Sequence, residues 1–177
     1  MAKNQIPTFA AWAVAAVAVA FFLPAAVSGA RDVKAATNKG FVVQGRVFCD
    51  TCRAGFETPK TTYIAGAKVR VECRSRTTGA KTCSFDGVTD RSGTYNILVA
   101  DEHEHENCEA VLVSSPVRGC SKMLEGRERA RVFLTHNNGI ASTKRFANSL
   151  GFQKDIALAG CGQLLKMYQQ YENEVQV

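Results

Sequence analysis

The sequence predicts an all-β fold, an antiparallel β-sandwich or barrel of about seven strands with a short C-terminal helix. Apolar and charged residues alternate strictly through AKVRVECRS (67–75), the pattern of a half-buried strand. Similar short runs of β-branched and aromatic residues recur along the chain, separated by turn residues. Short strands at such intervals are typical of sandwiches and barrels, and not of alternating strand–helix units.

The first thirty residues predict a secretory signal peptide. Lys3 is their only charge, an apolar run follows at 10–23, and the segment ends in the small residues AAVSGA. Ser28 and Ala30 suit the −3 and −1 positions, so we expect cleavage after Ala30. A membrane anchor is the alternative, since the apolar stretch approaches the ~20 residues that a span needs. The small-residue exit favours cleavage, which leaves residues 31–177 as one secreted domain.

The net charge and the cysteine content of the secreted part limit the classes of function that the protein can have. Loss of a segment with one lysine and no acid lowers the formal net charge from +6 to +5. This moderate basicity favours anionic partners, such as acidic cell-wall polysaccharide or the acidic face of a receptor, and falls short of a nucleic-acid-binding signature. No second long apolar stretch follows, so we expect no membrane association after cleavage. All seven cysteines lie in the secreted part, where most should form disulfides.

The strands follow in order along the chain. Tight-turn composition at DRSG (90–93) and a charged loop at DEHEHEN (101–107) separate some of them, and the aperiodic segment 137–151 predicts a long loop. The predicted strands are FVVQGRVFC (41–49), AKVRVECRS (67–75), CSFDGVT (83–89), TYNILVA (94–100), EAVLVSS (109–115), RVFL (131–134) and a weaker FQKDIAL (152–158).

Helix is predicted at two places. SKMLEGRERA (121–130) is consistent with a short helix, and CGQLLKMYQQYENE (161–174) predicts a longer one. In the second segment, apolar residues recur at helical spacing, which predicts a face packed on the sandwich. These residues are Leu164, Leu165, Tyr168 and Tyr171.

The motif VFCDTCRAG (47–55) places Cys49 and Cys52 in a C-x-x-C. A redox centre needs such a motif at a helix start, whereas Arg53 and the small residues after it favour a turn. Zinc needs four ligands, which His103, His105 and Cys108 could complete, but thiols of a secreted protein are usually oxidised first. The sequence therefore favours disulfide anchors over a metal site or a catalytic centre.

The spacing bears on how the two cysteines bond. If the strand continues through Cys52, residues i and i+3 lie roughly 10 Å apart, whereas disulfide Cα atoms lie within about 7 Å. Cys49 and Cys52 would then bond to different partners. The pairing of seven cysteines, one of them odd, remains open from the residues alone.

The sequence around Cys49 and Cys52 resembles that of a known family. QGRVFCDTCRAGFET (44–58) resembles the signature of the Ole e I-like pollen allergen and extensin family, with grass pollen members most similar. The resemblance covers essentially the whole secreted part. It continues through IAGAKVRVEC (64–73), GVTDRSGTYNI (87–97), CEAVLVSSP (108–116), RERARVFLTHNNGI (127–140) and the closing AN-x-L-G-F with Cys161. It implies a secreted plant protein with an antiparallel β-barrel or sandwich.

The resemblance also implies three disulfides. The expected pairs are Cys49–Cys120, Cys52–Cys161 and Cys73–Cys108, which leave Cys83 unpaired. Unlike many family members, this chain has no N-x-[ST] sequon in residues 31–177, so no N-glycosylation is expected. Asp50 and Arg53 are expected to shape the turn after the motif. Asp90, Gly93 and Tyr95 are expected to be structural, the first two in a turn and the tyrosine capping the core.

The expected function is that of a secreted, non-catalytic signalling or interaction protein. The resemblance implies a role in pollen hydration, germination or tube growth, in which some family members act as ligands of receptor kinases. It also implies that the protein is a potential allergen. The alternative is a cell-wall module that binds acidic pectin through the basic face of one strand, formed by Lys68, Arg70, Arg74 and Arg76. No recognisable hydrolase motif or carboxylate pair supports an enzyme, and no cofactor is expected.

Overall fold

The computed structural model describes residues 40–175, which form ten strands and one helix. The predicted signal peptide lies outside the described residues. The strands are β1 (Phe41–Asp50), β2 (Thr62–Tyr63), β3 (Lys68–Ser75), β4 (Lys81–Val88), β5 (Thr94–Val99), β6 (Glu106–Ser114), β7 (Lys122–Met123), β8 (Arg129–Val132), β9 (Lys144–Phe146) and β10 (Leu150–Gln153); the helix is α1 (Cys161–Val175). The predicted all-β class with a C-terminal helix is confirmed.

Strand β1 organises the larger sheet because it is long enough to pair with four other strands. Its first half pairs with β5 antiparallel and with β9 parallel. Its second half pairs with β2 antiparallel and with β10 parallel, and β7 extends the sheet beyond β10. The two parallel pairings depart from the purely antiparallel expectation, and the long connections to β9 and β10 make them possible.

The second sheet has the order β4-β3-β6-β8, and all its pairs are antiparallel. The predicted alternation along β3 is confirmed, since Val69, Val71 and Cys73 are fully buried while Lys68 and Arg74 are exposed. The buried faces of both sheets form one apolar cluster, to which Phe41, Tyr95 and Phe152 contribute large side chains.

The turn between β4 and β5 is built as its composition predicts. Asp90 accepts hydrogen bonds from the backbone N–H of Ser92 and of Thr94, and Gly93 has a φ of +74°, where glycine is strongly preferred. Tyr95 is fully buried directly after this turn, against Gly45 of β1. A Cβ at residue 45 would lie 2.3 Å from the Tyr95 hydroxyl oxygen, so this close approach requires glycine.

Three local predictions are wrong. Residues 121–130 form no helix: β7 pairs there with β10, and a turn at Gly126, with a φ of +74°, leads into β8. The strand predicted at 152–158 ends at Gln153, after which backbone bonds tie the chain to Asp50, Gly119 and Thr51. The loop predicted at 137–151 contains β9 and the start of β10.

Helix α1 is confirmed, but its apolar stripe packs over only part of its length. Leu164, Leu165 and Tyr168 are half-buried, and the rings of Tyr168 and Phe56 lie nearly perpendicular to each other at a centroid distance of 5.3 Å. Tyr171 is 65% exposed, so the expected contact with the sandwich ends before it. Within residues 40–175, no helix combines the length and apolar content that crossing a membrane requires.

Candidate functional site

The C-x-x-C motif holds two structural anchors. The disulfides are Cys49–Cys120, Cys52–Cys161 and Cys73–Cys108, the pairs that the family resemblance implies. Strand β1 ends at Asp50, so Cys52 lies in a turn and the spacing argument for an extended chain does not apply to it. The two cysteines diverge because one is joined to the segment before β7 and the other to the start of α1.

Asp50 and Arg53 shape the chain after the motif. The buried Asp50 carboxylate accepts hydrogen bonds from the backbone N–H groups of Ala54, at 3.0 Å, and Gly55, at 2.8 Å. Arg53 has a φ of +57° and donates to the carbonyl oxygen of Asp155 at 2.7 Å. Both side chains are therefore used in holding this turn against the segment that leads to α1.

The zinc site considered from the sequence is excluded by the disulfides. Cys49, Cys52 and Cys108 are all oxidised, so three of its five candidate ligands have no thiolate to offer. The same pairing removes the thiols that a redox C-x-x-C would need. Among the seven cysteines only Cys83 has no sulfur partner.

The basic residues of β3 lie on the solvent face of the four-stranded sheet, but acids on the same face pair with two of them. Arg70 Nε donates to the Asp86 carboxylate across the β3–β4 pair at 2.6 Å. Arg74 lies 3.5 Å from Glu72, which Lys81 also contacts at 3.0 Å. The hydrogen bond from Arg70 lowers the pKa of Asp86, and the one from Lys81 lowers the pKa of Glu72. The predicted ridge is thus a network of alternating charges.

The rest of this face keeps some positive character. Arg76 lies beyond the end of β3 and donates to the Glu106 carbonyl oxygen, while Lys68 makes no ion pair among the described residues. On β8, Arg129 pairs with Glu109 at 2.8 Å, and Arg131 stacks over Phe133 at 5.2 Å. Exposed ion pairs of this kind contribute about 0–1 kcal/mol each, so they tune the surface charge more than the stability.

A second surface lies on the solvent face of β5, β1 and β9. We call it the β1 face and define it by Val42, Gln44, Arg46, Leu98 and Phe146, which the strand register places side by side. The side chains of Leu98 and Phe146 are large and apolar, yet 64% and 74% exposed. Leu98 opposes Val42 and Phe146 opposes Gln44, so the two apolar side chains lie on the strands that flank β1, on one face of the sheet. Exposed apolar groups among polar ones on one face are typical of interaction surfaces.

Polar groups and a groove complete the β1 face. Gln44 donates to Asn96 at 2.8 Å, and the Arg46 guanidinium stacks over the Tyr63 ring at 3.3 Å. A groove of about 430 Å³ runs beside Phe146, lined also by Gln44, Arg46 and Thr94. The face therefore combines apolar anchors, an arginine held by an aromatic ring, and a concave neighbour, which are features that favour protein recognition.

Sequence reasoning missed this surface in part. Leu98 could have been found, since it alternates with the buried Ile97 and Val99 in a predicted strand. Phe146 fell in a segment predicted to be loop, and no local pattern signals that β9 pairs with β1 there. The basic residues of β3 stand out in the sequence, whereas Asp86, the acidic partner of Arg70, comes from the neighbouring strand β4.

Comparison with known proteins identifies related chains. The family described as "Pollen protein Ole e 1 like" matches residues 39–169. Pollen-specific protein C13 of Zea mays is 53% identical over 126 residues, which are 71% of this chain and 74% of the maize protein. Major pollen allergen Lol p 11 of Lolium perenne is 45% identical over 130 residues, 73% of this chain and 97% of the allergen. The crystal structure of the major plantain pollen allergen Pla l 1 superposes with a TM-score of 0.63 at 28% identity, covering 69% of this chain and 99% of the allergen.

Proposed function

This chain belongs to the family of Ole e 1-like pollen proteins, and on that premise we propose that it is a secreted, non-catalytic pollen protein that acts by binding an extracellular partner. The names of its relatives, pollen-specific proteins and pollen allergens, support expression in pollen and allergenic potential. The predicted signal peptide and the three disulfides support a location in the extracellular space or cell wall.

The observation that carries the binding role is the β1 face. Leu98 and Phe146 lie on adjacent rows of one sheet surface, and each would bury a large apolar area under a partner. Arg46, fixed over Tyr63, is already ordered and would lose little conformational freedom on binding. A receptor-kinase ectodomain with a complementary apolar and acidic surface is the partner we propose, with signalling in pollen hydration, germination or tube growth as the consequence.

The non-catalytic assignment rests on how the polar groups are used. The carboxylates of Asp50 and Asp90 are both engaged in holding turns, and the sulfurs of the C-x-x-C are oxidised. Each group therefore has a structural partner that explains its position.

Direct binding to purified receptor-kinase ectodomains from pollen tubes tests the proposal. The secreted chain, immobilised through its N-terminus, is expected to bind at least one ectodomain, and the affinity should survive moderate salt because apolar contacts supply much of it. A Leu98→Asp/Phe146→Asp variant should bind about tenfold or more weakly, whereas Arg70→Glu/Arg74→Glu should change the affinity little. Equal losses in the two variants would contradict a role for the β1 face.

Acidic pectin is the second candidate partner, with Lys68, Arg70, Arg74 and Arg76 as the contact residues. It is favoured by the excess of basic over acidic side chains on the face that β3 shares with β8. Binding of this type would be lost in salt. Retention on de-esterified pectin that falls with salt and is abolished by Arg70→Glu/Arg74→Glu would favour this function over receptor binding.

A further inference from the structure

Cys83, His103 and Glu106 meet at one end of the four-stranded sheet, although they are spread over 24 residues of sequence. Cys83 lies on the edge strand β4, His103 in the loop between β5 and β6, and Glu106 at the start of β6. One ligand atom from each lies within 4.8 Å of the others. We propose that these three residues form a zinc-binding site with one thiolate, one imidazole and one carboxylate ligand.

The ring of His103 is oriented by a hydrogen bond of the kind that orients metal-binding histidines. Its Nε2 lies 2.9 Å from the carbonyl oxygen of Ala100, which can only accept, so Nε2 carries a hydrogen. The other ring nitrogen, Nδ1, lies 2.7 Å from the Glu106 carboxylate and 4.0 Å from the Cys83 sulfur. Without a metal, Nδ1 therefore donates a hydrogen to that carboxylate, and a bound zinc ion would replace this hydrogen between the two groups. Metal-bound histidines almost always donate their other ring N–H to a carbonyl or carboxylate in this way.

The environment favours a bound ion over a solvated cluster. The His103 side chain is only 10% exposed and that of Glu106 22%, so water does not surround either group. The backbone fixes the histidine as well, since its N–H donates to the Leu134 carbonyl oxygen at 2.8 Å. A cation between these groups would compensate two anionic ligands in a half-buried site, the usual condition for retaining such charges.

The donor set selects the metal. One sulfur, one imidazole nitrogen and one carboxylate oxygen suit zinc, which takes tetrahedral coordination from these atoms. Cys73 also approaches the cluster, but its sulfur is bonded to Cys108 and offers no thiolate. The protein therefore supplies three ligands, and solvent or a partner group would supply the fourth.

Zinc would have a defined structural effect. None of the three disulfides involves β4, which among the described strands pairs only with β3, at the edge of its sheet. A metal held by Cys83, His103 and Glu106 would tie this edge strand to the β5–β6 loop. Ligand binding to the native state alone raises the free energy of unfolding, so zinc should raise the melting temperature.

The test uses the untagged secreted chain with its disulfides intact, titrated with zinc and with cobalt(II) as a spectroscopic probe. Zinc should bind at one equivalent per chain, and cobalt should show a thiolate-to-metal charge-transfer absorption. Cys83→Ser should abolish this absorption, and His103→Ala should weaken zinc binding more than about tenfold. His105→Ala, in the exposed neighbouring histidine, is the matched control and should change neither.

A second measurement does not depend on variants that fold. In the unaltered protein, saturating zinc should slow alkylation of the Cys83 thiol at least tenfold. The proposal is overturned if zinc leaves the alkylation rate unchanged, if the charge-transfer absorption is absent or persists in Cys83→Ser, or if His105→Ala weakens binding as much as His103→Ala.

Discussion

Arg70 donates a hydrogen bond of 2.6 Å to Asp86 on the neighbouring strand, and this contact changes the meaning of the basic residues on β3. From the sequence they form a positive ridge. In the fold, Asp86 and Glu72 divide the ridge into pairs, so much of its charge is already compensated.

Asp86→Asn should therefore increase retention on de-esterified pectin, because it frees Arg70 on an already basic face. The salt concentration needed for elution measures the effect. Glu125→Gln is the matched control, since it changes the net charge equally at an exposed residue outside both sheets. An identical elution shift in the two variants would show that only net charge matters and that the pairing has no local effect.

Removing the disulfide that anchors α1, with Cys52→Ser/Cys161→Ser, should lower the free energy of unfolding by about 3–5 kcal/mol. The bridge closes a loop across 109 residues, and the chain-entropy model gives values of this size for long loops. Denaturant unfolding followed by circular dichroism measures the loss. Cys83→Ser, which breaks no bridge, should stay within about 1 kcal/mol of the unaltered protein; a comparable loss there would contradict the anchoring role.

Arg145 is buried, and within residues 40–175 backbone carbonyl groups hold its guanidinium in place of a carboxylate. Its guanidinium donates to the carbonyl oxygens of Phe133, at 2.9 Å, Thr135, at 2.8 Å, and Ser142, and it lies over the Phe41 ring. Arg145→Met should cost about 2–3 kcal/mol of unfolding free energy, since these carbonyl groups lose their donors.

Arg145→Lys should recover only part of this loss. The planar guanidinium of arginine reaches several carbonyl oxygens at once, which the compact ammonium group of lysine cannot do. Thermal unfolding of the variants is the measurement, with Lys144→Met, at the exposed neighbour, as the control. Full recovery by lysine would mean that charge alone matters at this position.

The carboxylate of Glu102 should stabilise the folded protein near neutral pH, and this stabilisation should be lost in acid. Its carboxylate accepts hydrogen bonds from the backbone N–H of His136 and the hydroxyl of Thr135, which lower its pKa in the folded state. A depressed folded-state pKa contributes stability above the ordinary glutamate pKa of about 4.3, and this contribution is lost as pH falls through the folded value.

In Glu102→Gln, the melting temperature should consequently fall less between pH 6 and about pH 3 than in the unaltered protein. Glu125→Gln, at a residue with no side-chain hydrogen bond among the described residues, is the control and should follow the unaltered protein. An unchanged acid dependence in Glu102→Gln would contradict the assignment.

The sequence predicts the parts of this fold that local pattern determines. Apolar residues recur with the period of a strand in β3 and of a helix in α1, and the motif around Cys49 identifies the family. Strands β2, β7 and β9 have two or three residues each and form only through tertiary pairing, so no local window indicates them. The same applies to residues 121–130, where the sequence predicts a helix but β7 forms through its pairing with β10.

In the candidate sites, too, the sequence shows individual residues, but tertiary pairing determines which of them meet. The basic residues of β3 are visible in the sequence, but Asp86 becomes their partner only through the β3–β4 register. Phe146 reaches the β1 face through a parallel pairing that joins distant segments. Cys83 and His103 are 20 residues apart in sequence, and they meet because the sheet order β4-β3-β6 brings β4 close to the loop that precedes β6.

Binding of labelled protein to intact, growing pollen tubes tests the central claim, that this protein recognises a partner through the β1 face. Saturable binding in moderate salt is expected for the unaltered protein and for Arg70→Glu/Arg74→Glu. It should fall about tenfold or more for Leu98→Asp/Phe146→Asp, provided that circular dichroism shows the variant to be folded. Full binding by the β1-face variant, with loss in the β3 variant, would contradict the account.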